Sequence, residues 1–157
     1  MPRRLLTIKY DGTNLCGWQV QPNGVSVQAV VQEALGRVLP DLKGITGCSR
    51  TDSGVHANMY CLHFDTESSI SNDSIVKALN ANLPHDIAAL ECRLVPDDFH
   101  ARYSSKGKNY RYYIRNSSTP DPFNYKYRLL VKNKIDEKQL NEAAKPFPFP
   151  HGSSLLS

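Results

Sequence analysis

The stretch SVQAVVQEALGRVL, residues 26–39, constrains the fold more than any other part of the sequence. Its apolar residues recur at the spacing i, i+3, i+4, i+7, i+8, i+11 and i+12, which is the pattern of one buried helix face. Ser26 is a residue type that caps helix N-termini, and Pro40 cannot continue a helix. The sequence therefore predicts an amphipathic helix that packs one face against another layer.

Alternating apolar and polar residues predict strands before and after this helix. The predicted strands are 5–10, 45–48, 58–65, 87–95 and 109–115. Two further segments predict helices, at residues 71–84 and from Asp136 onward.

The alternation also predicts which side chains share a face of each strand. We expect one face of three strands to carry Tyr60, Leu62 and Phe64; Ala88, Leu90, Cys92 and Leu94; and Tyr110, Tyr112 and Ile114. Tyr112 is then expected to pack within the sheet.

The order β-α-β-β-α-β-β predicts an α/β (α+β) fold, in which a ferredoxin-like or RRM-like antiparallel sheet carries its helices on one face. The opposite face is then free to bind something large. We expect this α/β domain to span residues 1–145. Residues 146–157 begin with three prolines in five residues and predict a Pro-rich irregular tail.

The composition is that of an ordinary globular protein, with 40% hydrophobic and 22% charged residues. No run approaches the roughly 20 apolar residues of a membrane helix, and the N-terminus lacks the apolar stretch of a signal peptide. We therefore expect a cytoplasmic protein with no membrane partner. The four cysteines form no CxxC pair, which favours reduced thiols over a disulfide framework or a zinc site.

Positive charge is concentrated between Arg93 and Lys134, where ten Lys/Arg and three Asp give a net charge of +7. Six tyrosines are interleaved with these cations. Cations bind phosphates and aromatic rings stack on bases, so the region fits a nucleic-acid partner. A solvated basic strand face fits the same composition, and composition leaves both interpretations open.

The loop GCSRTDSGVHA contains the candidate chemistry. An arginine near Asp52 favours the charged carboxylate, which can act as a nucleophile, a base or an electrostatic partner. Gly54 permits a tight backbone path, and the hydroxyls of Thr51 and Ser53 can hold the loop by hydrogen bonds. The same residue types dominate ordinary turns, so the loop taken alone also fits a plain polar turn.

Five blocks occur together in order: KYDGTNLCGWQVQPNGVSVQ, GCSRTDSGVHA, NANLPHDI, VPDDFHARYSS and KNYRYYI. Over residues 3 to about 145 the set closely resembles the N-terminal part of the tRNA pseudouridine synthase A family. That family's loop is commonly written G-x-G/S-R-T-D-A-G-V-H-A, and Ser53 stands here in place of the usual alanine.

The resemblance implies the N-terminal half of a pseudouridine synthase fold and an isomerase that converts uridine to pseudouridine in the anticodon stem-loop of tRNA. It implies no cofactor, no metal and a homodimer. Asp52 would be the nucleophile, attacking C6 of the base or C1′ of the ribose. Arg50 would take the place of the flipped base, and Tyr110 would stack on the uracil.

Other residues have less specific expectations. Arg102, in the block FHAR, is expected to contact RNA or brace the loop, although a surface salt bridge fits it nearly as well. Trp18 is expected to anchor a loop or the core. Three histidines match no metal-ligand spacing, so structural roles are favoured for His56, His63 and His100.

Members of the resembled family continue beyond this length into a second α/β half, and usually carry a Gly-x-His-Asp-Phe block after the last helix. PFPFPHGSSLLS does not match that block, so we expect the C-terminal half of the family to be absent here. Two other functions stay open: a truncated, non-catalytic RNA-binding fragment, and, more weakly supported, a metal-dependent hydrolase.

Overall fold

The structure is a computed structural model that describes residues 1–146. The chain divides into two compact units, Met1–Gly107 and the residues from Lys108 onward. The division falls inside the predicted 1–145 domain. Except for Pro146, the predicted tail at 146–157 lies outside the described residues.

The first unit contains four strands and two α-helices. They are β1 (Arg3–Tyr10), α1 (Val27–Val38), β2 (Thr46–Gly47), β3 (Ala57–Asp65), α2 (Asn72–Asn82) and β4 (Ile87–Val95). The strands form one sheet in the order β2-β3-β1-β4, with every neighbouring pair antiparallel. This β-α-β-β-α-β arrangement confirms the predicted α+β class and matches the ferredoxin-like topology.

Helix α1 begins at the predicted cap, where the Ser26 hydroxyl accepts a hydrogen bond from the Ala29 N–H at 3.2 Å. The helices and the sheet share one buried core, to which α1 contributes Val27, Val31, Ala34 and Leu35, and α2 contributes Ile75 and Leu79. Strand β3 contributes Tyr60, Leu62 and Phe64, as its alternation predicts. Each fully buried aliphatic or Phe side chain stabilises the fold by about 1.5–3 kcal/mol.

Strand β4 departs from the predicted alternation. Its register against β1 shifts between Thr7, which pairs with Glu91, and Ile8, which pairs with Ala89. Leu90 is the extra residue of this β-bulge and is 45% exposed. The prediction that Ala88, Leu90, Cys92 and Leu94 share one face is therefore wrong; the buried residues of β4 are Ile87, Ala89 and Cys92.

The second unit contains β5 (Ile114–Asn116), β6 (Leu129–Val131) and α3 (Glu137–Ala144), and β5 pairs with β6 in parallel. The predicted strand at 109–115 is wrong for residues 109–113, which are not in a strand. A strand needs a neighbouring ladder, and the pairing with β6 begins at Ile114. Tyr112 is 87% exposed, so the expectation that it packs in the sheet is also wrong.

All four cysteines are free thiols, as the sequence predicts. Within residues 1–146, no helix is both long and apolar enough to cross a membrane. The same residues contain no group of three or more His, Cys, Asp or Glu side chains placed to hold a metal ion.

His63 lies on β3 and is buried, although its ring is titratable. Its Nδ1 accepts a hydrogen bond from the Ala101 N–H at 3.1 Å, which requires that nitrogen to be unprotonated. Burial lowers the pKa of His63, and the charges of Arg3 and His100 lower it further. The folded state therefore favours the neutral ring.

This burial predicts a loss of stability in mild acid. Because the folded pKa of His63 is below its unfolded value, the unfolded chain binds the proton first. The contribution of the neutral His63 ring to the free energy of unfolding is fully present above about pH 6.5. It is lost as the pH drops through the lower pKa of the folded state. We expect the urea midpoint to fall between pH 7.5 and pH 5.0, and to fall less in His63→Asn, whose Oδ1 can replace the acceptor. An equal fall in both proteins would contradict this explanation.

Candidate active site

The loop between β2 and β3, residues 48–56, has a tight turn at its centre. The Val55 N–H donates to the Asp52 carbonyl at 3.2 Å, and Gly54 has φ +80°, in the left-handed region that favours glycine. The turn places the Asp52 side chain at its surface, where it is exposed. The tight path predicted at Gly54 is thus present.

Two buried tyrosines, one on β1 and one on β3, hold this loop by hydrogen bonds. The Tyr60 hydroxyl donates to the Ser49 carbonyl, and the Tyr10 hydroxyl shares a hydrogen bond with the Thr51 hydroxyl at 2.9 Å. Burial raises the pKa of both phenols, so both hydroxyls stay protonated. Sequence reasoning did not assign this role, although a tyrosine on a buried strand face needs a hydrogen-bond partner for its hydroxyl.

A second set of contacts joins the loop to the segment that follows β1. The backbone N–H of Trp18 donates to the Thr51 carbonyl at 3.1 Å. The Leu15 carbonyl accepts two hydrogen bonds, from the Gly54 N–H at 3.2 Å and from the Ser53 hydroxyl at 3.4 Å. These bonds fix the backbone on both sides of Asp52. The hydroxyls of Thr51 and Ser53 therefore do hold the loop, as the sequence predicts.

Trp18 connects this segment to the core. Its ring is 4% exposed and stacks on the Tyr60 ring with centroids 4.3 Å apart. The Trp18 carbonyl accepts from the Gln28 N–H at 2.9 Å, in the first turn of α1. The prediction of Trp18 as an anchor is confirmed, and the anchor joins the loop, the sheet and the helix.

A cleft of about 320 Å³ opens between the loop and the segment after β1. Its lining consists of Cys16, Gln19, Val20, Gln21, Arg50, Thr51, Asp52 and Ser53. No residue in the described part of the chain makes a hydrogen bond or an ion pair with the Asp52 carboxylate. That carboxylate is therefore available to a ligand, and the cleft brings it together with Arg50.

The other two predicted site residues are Arg102 and Tyr110. Arg102 is exposed in the turn that follows β4, outside the lining of the cleft. Tyr110 belongs to the second unit, is 65% exposed, and precedes β5 rather than lying in a strand.

The histidines take part in backbone contacts. His56 Nδ1 accepts from the Gly12 N–H at 3.0 Å, and His100 Nδ1 accepts from the Arg102 N–H at 3.2 Å. His56 Nδ1 also lies 3.0 Å from Oδ1 of Asp11. With the bond from Ala101 to His63, all three histidines have the structural contacts that the sequence favours.

The two walls of the cleft approach each other closely at Gly17, so we expect a larger residue at this position to destabilise the fold. Gly17 has φ +77°, and a Cβ there would lie 2.3 Å from the Thr51 carbonyl oxygen. Since a backbone atom cannot easily yield, we expect Gly17→Ala to destabilise the first unit by about 2 kcal/mol or more. Urea unfolding of the variant and the parent chain measures this change in the free energy of unfolding.

Gly36→Ala is the matched control for that substitution. Gly36 lies in α1, and a Cβ there meets nothing within 4 Å. Alanine should raise stability by about 0.5–1 kcal/mol, because glycine is the weaker helix former. Equal effects of the two alanines would contradict the tight packing at Gly17.

Comparison with known proteins gives this geometry a context. The family model described as "tRNA pseudouridine synthase" matches residues 6–104, which include the whole cleft. The chain is 43% identical over its full length to tRNA pseudouridine synthase A of Aquifex aeolicus, and covers 65% of that protein. Over 93% of its length it is 45% identical to tRNA pseudouridine synthase A of Ruminiclostridium cellulolyticum, and covers 60% of that relative.

The chain thus spans less than two thirds of the length of these curated relatives. The family match covers both strands that flank the loop and the segment that holds it. On these matches, the chain belongs to the tRNA pseudouridine synthase family.

Proposed function

We propose that this chain carries the nucleophile of a tRNA pseudouridine synthase, and that the nucleophile is Asp52. The observation that supports the proposal most strongly is the state of this carboxylate. It is exposed beside Arg50 in a cleft, it has no hydrogen-bond or ion-pair partner within residues 1–146, and its backbone is held from two sides. A side chain that forms a covalent bond with a substrate needs this combination of access and fixed position.

The proposed substrate is a uridine in the anticodon stem-loop of tRNA, and the proposed compartment is the cytoplasm. The Asp52 carboxylate attacks the uridine at C6 of the base or C1′ of the ribose, and the N1–C1′ bond breaks. The uracil then rotates, C5 bonds to C1′, C5 loses its proton, N1 takes up a proton and the carboxylate is released. The reaction is an isomerisation that consumes no cofactor and needs no metal ion.

The neighbouring residues have proposed roles in presenting the base. A base must leave its stack before Asp52 can reach it, at a cost of a few kcal/mol. We assign Arg50 to the space that the base vacates, because its exposed guanidinium lines the same cleft. We assign Tyr110, with its exposed ring, to stacking on the uracil, and Arg102 to contact with the RNA.

The rest of the proposal concerns the whole enzyme. In the relatives, more than a third of the length lies outside the part that this chain covers. We propose that residues of such a second half complete the cleft and supply a cation for Asp52, and that the enzyme is a homodimer.

Release of tritium tests the proposed reaction. When C5 bonds to C1′, the hydrogen on C5 leaves, so tRNA labelled with tritium at C5 of uridine releases label to water for each pseudouridine made. We expect release from unmodified tRNA, and none from tRNA whose anticodon-stem uridines are replaced by cytidine.

A second function competes with this one: RNA binding without chemistry. The observation that favours it is the exposure of aromatic rings in a basic region, with Tyr112 87% and Phe123 88% exposed. Retained tRNA binding with no release of tritium would support the binding fragment and overturn the enzyme proposal for this chain.

A further inference from the structure

Aromatic and imidazole rings form a series that leads out of the first unit's sheet after β4. The His63 ring is buried, and the His100 ring contacts it with centroids 4.9 Å apart. The Tyr103 ring contacts the His100 ring with centroids 4.3 Å apart and planes tilted by 30°. Tyr103 is 78% exposed, so one of its faces is covered by His100 and the other is open.

The turn that carries the outer rings is fixed to the sheet by hydrogen bonds. The Ala101 N–H donates to His63 Nδ1, and the Phe99 carbonyl accepts from Nη1 of Arg3 at 2.8 Å. Arg3 is itself held by two hydrogen bonds to the Asp65 carboxylate, at 2.8 and 2.9 Å.

The turn is also closed internally. The Ser104 N–H donates to the His100 carbonyl at 2.7 Å, and the His100 N–H donates to the Ser104 hydroxyl at 3.1 Å. With both ends fixed, the backbone that carries Tyr103 is ordered, and the ring's contact with His100 limits how far the side chain can move. A ring that is already ordered loses little conformational entropy when a ligand stacks on it.

The turn that carries the ring contains two cations. Residues 99–107 contain Arg102 and Lys106 and no acidic residue. The two nearest acids in sequence, Asp97 and Asp98, precede the turn and interact with Arg3. An open aromatic face beside cations fits a ligand that offers both a π-face and a negative charge.

We propose that the open face of Tyr103 is a stacking site for an unpaired base of the RNA substrate, with Arg102 contacting the adjoining phosphate. The proposal rests on the proposed tRNA substrate and adds a binding contact outside the cleft. The site uses an aromatic ring that is exposed on a turn fixed to the sheet by hydrogen bonds.

The geometry favours a base over a protein partner. A base presents a flat face of ring size and a phosphate within the same nucleotide, which matches the pair Tyr103 and Arg102. Stacking of this kind tolerates any base, so it would position the RNA rather than select a sequence.

The test compares Tyr103→Leu with Tyr103→Phe. Leucine keeps apolar bulk and removes the π-face, whereas phenylalanine keeps the ring. Both are made in the full chain carrying Asp52→Asn, so that no turnover complicates the measurement, and the probe is an anticodon stem-loop RNA. We expect Tyr103→Leu to raise the Kd about tenfold and Tyr103→Phe to leave it within about twofold. Leu94→Ala, at a 61% exposed residue of β4, is the control for loss of exposed apolar surface.

Salt dependence separates the two contacts of the proposed site. Loss of a phosphate contact lowers the slope of log Kd against log salt by about 0.7 for single-stranded RNA. We expect Arg102→Gln to lower the slope by about this amount and Tyr103→Leu to leave it unchanged, because a stacked ring releases no counterions.

The outcomes distinguish this inference from the proposed function. Equal affinity of the Tyr103→Leu and Tyr103→Phe variants, or no RNA binding by the parent chain, would overturn the stacking site whatever the tritium assay shows. A tenfold loss specific to Tyr103→Leu would support the site even if the parent chain released no tritium, in which case the catalytic proposal alone would fail.

Discussion

Replacing Asp52 by asparagine is expected to lower the rate of pseudouridine formation by at least about a thousandfold. The amide has the shape of the carboxylate but is a far weaker nucleophile, so the covalent step is lost while the cleft keeps its form. Asp52 makes no side-chain hydrogen bond or ion pair within residues 1–146, so the substitution breaks no contact of the described structure. Single-turnover tritium release measures the effect, and the Kd for tRNA should stay within about twofold.

Ser53→Ala is the matched control for that substitution. Within residues 1–146 its hydroxyl makes a single long hydrogen bond, 3.4 Å to the Leu15 carbonyl, and alanine is common at this position of the family's loop pattern. We expect its rate to stay within a few-fold of the parent. Comparable losses in the two variants would mean that the loop's structure, not the Asp52 carboxylate, determines the rate.

Trp18→Ala is expected to give the largest loss of stability, about 3–5 kcal/mol. The substitution removes a ring that is 4% exposed and leaves a cavity against Tyr60, on which the ring stacks. Since Tyr60 also holds the Ser49 carbonyl, catalysis should fall together with stability. Urea unfolding followed by far-UV circular dichroism measures the loss; fluorescence cannot, because Trp18 is the single tryptophan of the sequence.

Met59→Ala provides the comparison for Trp18→Ala. Met59 lies on β3 beside Tyr60 but is 76% exposed, so its truncation should change stability by no more than about 0.5 kcal/mol. A loss below about 1 kcal/mol for Trp18→Ala would show that the ring does not anchor the loop.

The sequence predicts the first unit well because its local patterns agree with its packing. Helix α1 carries its cap and its apolar stripe in adjacent residues, and β3 buries Tyr60, Leu62 and Phe64 on the face that its sequence predicts. The failure at β4 has a physical cause: a bulge at Leu90 changes which residues face the core, and residues 87–95 contain no glycine or proline to mark it. A bulge of this kind is visible only in the pairing with β1.

The prediction at residues 109–115 failed for another reason. Alternating aromatic and basic residues have high strand propensity, but a strand also requires a partner whose backbone can pair with it. In the second unit that pairing begins at Ile114, where β6 runs alongside. Strand propensity therefore predicted a strand correctly only at the C-terminal end of the segment, from Ile114.

For the candidate site, the sequence predicted the loop but not what holds it. Arg50 and Asp52 were identified from local chemistry and from family resemblance, and both line the cleft. The supports from Tyr10 and Tyr60 were not predicted, because they come from strands about forty and ten residues away from the loop residues that they contact. Contacts of this kind depend on the register of the sheet, which the local sequence does not encode.

The most direct test of the central claim is to locate the covalent bond that Asp52 is proposed to form. Attack at C6 keeps the carboxylate bonded to the base until C5 loses its proton, and 5-fluorouridine at the target position of a stem-loop RNA cannot lose that proton, so the attached intermediate should accumulate. Mass spectrometry of the digested protein should then find the nucleotide on the peptide that contains Asp52. No adduct from a chain that releases tritium from normal tRNA would exclude attack at C6, and an adduct on a different residue would contradict the account.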